Sequence, residues 1–190
     1  MCYNMYIQYG LTAYIYKKGL DVMSRFKEID VSEIKNNPFD LIGKDWALVT
    51  AKNGSSCNTM TASWGGVGIM WNKPVAFTFI RPQRFTFELI EKENYFSLSF
   101  YKEDYRNALK FCGTKSGRDY DKAKECNFTP VYDEKAPYFA EAELVLICKK
   151  LYAQDLNEES AVDKDTVLSN YNKDDYHKMY ISEIVKVLKK

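Results

Sequence analysis

One stretch constrains this chain more than any other: residues 58–86, NTMTASWGGVGIMWNKPVAFTFIRPQRFT. It gathers three of the nine glycines, two of the three tryptophans and two arginines three positions apart. A small-residue turn, Thr61-Ala62-Ser63, leads into Trp64 and the glycines. A β-like run over residues 75–80 then ends at Arg81-Pro82-Gln83-Arg84. Small residues let a backbone approach a ligand closely. Arginines just past a strand can clamp a phosphate through forked, charge-assisted hydrogen bonds. The same features also have an architectural reading, in which glycines turn corners and tryptophan plugs the core of an all-β domain.

The neighbouring elements agree with a mainly β chain. Residues 46–51 (WALVTA) read as a strand, with Asn53-Gly54 as its turn and residues 58–63 pairing back. Residues 95–101 (YFSLSFY) alternate strictly, with Phe96, Leu98 and Phe100 on one face. Residues 85–92 carry helical spacing, and Pro38 is expected to end a short turn at residues 30–35. Residues 105–112 read as a helix stopped by Gly113, and residues 119–125 as another. A long β-like run occupies residues 144–154, as one strand or a bent pair. Residues 155–175 are a polar, acidic surface segment. Residues 177–188 alternate imperfectly, which predicts a bulge or a helical end. Connections are too short and too rich in turn residues for parallel crossovers. An antiparallel Greek-key barrel with peripheral helices therefore fits better than a doubly wound α/β sheet.

Composition narrows the function. The 27 basic and 26 acidic residues leave a net charge of +1, so there is no electrostatic case for nucleic acid or a membrane surface. No apolar run approaches the roughly 20 residues that span a bilayer. Five scattered cysteines without a Cys-x-x-Cys pair point to reduced thiols in a cytoplasm. One domain is expected at residues 23–190. The tyrosine-rich residues 1–22, which lack the pattern of a signal peptide, would form a disordered or accessory extension or an added edge strand.

Several blocks in order resemble the flavin reductase-like, FMN-binding split-barrel family, in particular its flavoredoxin branch. They are Asn58 with Met60-Thr61-Ala62-Ser63-Trp64, then Arg81-Pro82-Gln83-Arg84-Phe85-Thr86, Glu88, and Phe96 to Ser99. A later block, Ser116-Gly117-Arg118-Asp119-Tyr120-Asp121-Lys122, and His177-Lys-Met-Tyr-Ile-Ser-Glu-Ile extend the likeness, with Ser182 where relatives carry glycine. The resemblance implies a split β-barrel that binds FMN and forms a homodimer. It places Met60, Thr61, Ala62, Ser63 and Trp64 along the flavin, and Arg81, Arg84, Phe85 and Thr86 toward its phosphate and ribityl chain. Asn58 would approach the ring or chain, and Ser116, Gly117, Arg118 and Lys122 would form a second polar block. His177 is the candidate catalytic residue, touching the flavin or the hydride donor.

The expected activity is electron transfer through FMN, from NAD(P)H or a redox protein to free flavin or another acceptor. The alternatives are an FMN electron carrier without NAD(P)H activity and a non-enzymatic flavin- or haem-binding barrel. Each candidate residue also has an ordinary structural role: Trp64 as a core plug, Arg84 as partner of Glu88 four residues on, Lys122 as a solvated helix lysine and His177 as a structural histidine. A single histidine builds no multi-His metal site. Gly66-Val-Gly68-Ile-Met-Trp71 puts tryptophan where a dinucleotide fingerprint needs its third glycine.

Overall fold

The computed structural model describes residues 26–172 and 175–190; the expected extension at residues 1–22 lies outside them. The strands, in chain order, are β1 (Lys27–Ile29), β2 (Ala47–Asn53), β3 (Ser56–Ala62), β4 (Gly65–Met70), β5 (Lys73–Ile80), β6 (Tyr95–Phe100), β7 (Pro130–Val131), β8 (Tyr138–Phe139), β9 (Leu144–Asp155) and β10 (Lys178–Lys189). Among the described residues the α-helices that accompany them are α1 (Pro38–Gly43), α2 (Phe85–Lys92), α3 (Arg106–Thr114), α4 (Lys122–Glu125) and α5 (Lys164–Leu168).

The main sheet runs β3-β2-β6-β9-β10-β5-β4, with β1 on β10, and every pairing is antiparallel. Its two edge strands, β3 and β4, are consecutive in the chain and joined only through Ser63 and Trp64. Covalent continuity therefore draws the two edges together at one end, and the sheet must curl. No ladder joins β3 to β4 among the described residues, so the barrel closes there at a seam. The fold is a mainly β, antiparallel Greek-key split barrel, as the sequence pattern and the resemblance both led us to expect.

Alternation in β6 sorts two apolar layers. Phe96, Leu98 and Phe100 enter the barrel with Val49, Met60, Leu146 and Tyr180. On the opposite side of the sheet, Leu48, Val145 and Ile147 pack under Leu109 and Cys112 of α3 and under Phe128, Tyr138 and Phe139. Covering both faces explains why β6 after Tyr95 and β9 as far as Cys148 are buried, while β9 is mostly exposed beyond it. The expected bulges in the last strand are present, at Ile181/Ser182 and Ile184/Lys186. None of the helices among the described residues is long and apolar enough to cross a membrane.

Four local readings are corrected. Pro38 opens a helix rather than ending one: it sits in the first turn of α1 behind the Asn37 cap, where its missing N–H costs nothing. The glycine cluster is a strand, β4, because a Cβ on Gly65 would lie 2.6 Å from the Phe77 carbonyl oxygen of β5. Trp71 and Asn72, both at positive φ, make the two-residue turn between β4 and β5. Helix α3 runs through Gly113, whose missing Cβ lets it lie against Thr61; a Cβ would stand 3.2 Å from that of Thr61. The helix expected at residues 119–125 is shorter, because the Asp121 side chain caps it by accepting from the Lys124 N–H.

Candidate functional site

Three chain segments meet at the closed end of the seam. β3 delivers Met60 to Trp64, β5 delivers Phe79 and then the Arg81–Arg84 corner, and β10 begins with Lys178 opposite Ile80, which sets His177 beside Arg81. Together they line a cleft of about 270 Å³: Met60, Thr61, Ala62, Ser63, Trp64, Phe79, Arg81, Arg84 and His177. Eight of these nine were candidates from sequence. Phe79 was missed, although it shares a strand face with Arg81 two positions on.

Trp64 is 45% exposed, so it is a cleft wall and not a core plug. Its indole lies 5.0 Å from the His177 ring at a tilt of 40°. The Thr61 hydroxyl donates to the Leu109 carbonyl, so toward a ligand its oxygen can only accept. The Ser63 hydroxyl has no partner among the described residues.

The two arginines differ. Arg81 is compensated: it pairs with Asp175, donates to the Asn170 carbonyl at 2.8 Å and lies over the Tyr171 ring. Arg84 donates to the Gly113 carbonyl and has no carboxylate partner among the described residues. Burial, and then the charge of Arg81, lower its pKa. Glu88, the expected partner of Arg84, pairs with Arg118 instead. His177 is held neutral, its pKa lowered to about 4 by burial and by the facing Arg81.

A second depression of about 310 Å³ continues along β3 and includes Cys57, Asn58, Gly117, Arg118 and Lys122. Asn58 donates to the Thr86 hydroxyl at 2.8 Å, so the buried Thr86 fixes Asn58 rather than facing a ligand. Lys122 is also buried. Its ammonium donates to the carbonyls of Thr59 and Cys112, each at 2.8 Å, which ties the 116–122 loop to β3 and α3. Burial lowers its pKa to about 8. Arg118 donates to the Gln83 carbonyl and lies 5.2 Å above Phe85. Ser116 accepts from the Arg118 N–H at 3.1 Å. Ser116, Phe85 and Thr86 line neither depression.

The model of the flavin reductase like domain matches residues 40–189, most of the chain and the whole of the barrel beyond β1. This chain belongs to that family. No curated protein matches it. Among solved structures, the flavin reductase-like domain resembles an FMN-binding domain of a flavin reductases-like enzyme from Shewanella baltica, at 16% identity and TM-score 0.63, over 87% of this chain and 77% of that one. It resembles flavoredoxin of Desulfovibrio vulgaris at 22% identity and TM-score 0.61, over 86% and 76%. An NADH:FAD oxidoreductase of Streptomyces globisporus matches at 16% identity and TM-score 0.55, over 77% and 74%. At these identities the likeness concerns the fold. In the flavin reductase-like barrel described here, the seam offers an anion-seeking guanidinium, an aromatic wall and a neutral imidazole within one cleft.

Proposed function

We propose that this chain binds FMN along the seam and passes electrons through it. NAD(P)H or a redox protein would be the donor, and free flavin or another acceptor would take the electrons. One observation carries the reading. Arg84 is a half-buried cation with no carboxylate partner among the described residues, and it opens on a cleft walled by an indole. Such a site takes a ligand that is both anionic and aromatic. A flavin mononucleotide is both.

The residues present fit that group. Arg84 supplies forked donors for a phosphate. Met60, Phe79 and Trp64 supply apolar surface for a planar ring. Ser63 supplies a hydroxyl with no partner among the described residues. The second depression adds the side chains of Asn58 from β3 and Arg118 from the 116–122 loop. When bound, FMN supplies hydride and single-electron chemistry; the chain supplies binding, orientation and electrostatics. His177, uncharged at neutral pH, adds no further positive charge beside the two arginines. Trp64, about half open to solvent, leaves one side of the cleft accessible to an electron donor.

A homodimer belongs to the same proposal. Ile69 is 75% exposed, and Trp71 and Tyr152 are exposed with their rings 6.3 Å apart. Ile69 lies on β4, the strand that begins immediately after Trp64, so a second copy seated there would stand next to the cleft. Sedimentation of the purified chain tests it.

The decisive experiment is a visible spectrum of the purified protein, with released cofactor identified by mass. Protein that is colourless, and stays so when offered FMN, overturns the reading. Stopped-flow mixing with NADH and NADPH then separates a reductase from an electron carrier: bleaching of the bound flavin by either marks the reductase.

A further inference from the structure

Tyr171 lies in the polar segment before β10. It lines neither depression, yet it touches two residues that line the cleft. Its hydroxyl is 3.0 Å from Nδ1 of His177, and its ring meets the imidazole edge-on at 5.5 Å. The Arg81 guanidinium lies 5.4 Å from its ring centre, and Tyr176 packs against it at 4.7 Å. The phenol is therefore held by packing as well as by its hydrogen bond.

The direction of that bond follows from the chemistry of the pair. Burial raises the phenol's pKa, so the hydroxyl keeps its proton at neutral pH. A phenol is a good donor and a weak acceptor, whereas the unprotonated nitrogen of a neutral imidazole is a strong acceptor, so at 3.0 Å the hydroxyl gives its proton to Nδ1. A histidine whose Nδ1 accepts a hydrogen bond must carry its proton on Nε2. Nδ1 is taken up by Tyr171, so Nε2, which has no partner among the described residues, is the nitrogen left for a ligand in the cleft that His177 lines.

We infer that Tyr171 is a positioning residue: its hydroxyl fixes His177 as the Nε2–H tautomer, so that the cleft presents an N–H donor to an acceptor on a ligand lying beside Trp64. The acceptor's identity rests on the flavin reading, as a carbonyl or ring nitrogen of the flavin or of its electron donor. The tautomer does not, since it belongs to the ligand-free chain.

The experiment exploits a property of the sequence. His177 is the only histidine, so protein carrying nitrogen-15 histidine gives the spectrum of one imidazole. Long-range proton–nitrogen correlations near neutral pH report which nitrogen bears the proton. The wild-type chain should show Nε2–H alone. Tyr171→Phe keeps the ring on Arg81 and Tyr176, deletes the hydroxyl, and should give a mixture with Nδ1–H populated. Turnover by FMN-loaded protein should fall about 2- to 10-fold, as for one lost hydrogen bond. An Nδ1–H tautomer in the wild type overturns the inference, and that spectrum decides the matter even if the variant does not fold. An unchanged tautomer in a folded Tyr171→Phe protein overturns it as well. FMN uptake is measured separately, so a chain that binds no flavin refutes the flavin reading without altering the tautomer result.

Discussion

Gly117 faces Asn58 so closely that a Cβ on the glycine would stand 1.9 Å from the amide oxygen. The glycine in the Ser116-Gly117-Arg118 run is thus demanded by contact with a strand nearly sixty residues earlier. Gly117→Ala should push Asn58 off the Thr86 hydroxyl and leave a buried polar group unpaired, at a cost of about 1–3 kcal/mol. Every atom in that clash belongs to the Asn58 side chain beyond Cβ. Asn58→Ala should therefore relieve it, and the double variant should be less destabilised than the two single changes added together. Urea unfolding of the four proteins measures this; simple additivity would show that the two residues do not compete for space.

Arg84 has no carboxylate partner among the described residues, whereas Arg81 pairs with Asp175. Replacing Arg84 with alanine should weaken FMN binding by about 1.5–3 kcal/mol, roughly 10- to 150-fold, the worth of a charged hydrogen bond. Arg84→Lys should fall between, because one ammonium cannot serve the Gly113 carbonyl and a phosphate in the geometry of a guanidinium fork. Quenching of flavin fluorescence on titration reads both. Unchanged affinity in Arg84→Ala would remove this residue from the phosphate site.

Trp64 is half open to solvent, so its packing contribution is small. Trp64→Leu should change stability by less than about 1 kcal/mol, as for surface positions generally, while flavin affinity drops with the loss of the aromatic wall. A shift of several kcal/mol in urea unfolding would instead return Trp64 to the core.

The pattern of the chain made some of this legible and hid the rest for identifiable reasons. Strands β2, β3, β5 and β6 and helix α2 announce themselves because each has its own periodicity. β4 does not: Gly65, Gly66 and Gly68 look like a turn until β5 is beside them, where the close approach of the Phe77 carbonyl requires glycine. Met60 to Trp64 and Arg81 to Arg84 could be named as one site from the order of their blocks, but their meeting depends on the curling of the sheet. The fate of each charge was not legible. Asp175 neutralises Arg81 from 94 positions away, and Arg118 takes Glu88 from Arg84. Lys122 reads as a helix lysine and is in fact buried on two carbonyls, since nothing local marks the backbone oxygens it reaches.

His177 gives a prediction with a definite sign. An ordinary imidazole titrates near 6.5; here burial lowers the value to about 4, with Arg81 and then Arg84 opposing the charged form and Asp175 favouring it. Tyr171 meets the ring at Nδ1 and Trp64 meets its face. Between pH 4 and 6.5 the unfolded chain therefore binds a proton that the folded chain does not. Stability must rise with pH across that window. The contribution is fully present above 6.5 and is lost as the pH falls through the folded value. Urea unfolding at the two ends of the window should show a larger acid loss for the wild type than for His177→Leu. The titration can also be followed directly through the single imidazole, with a midpoint near 4 in the wild type. Arg84→Ala removes one of the opposing charges and should raise that midpoint. A wild-type midpoint at the ordinary value would mean that the ring is solvated and that the cleft does not enclose it.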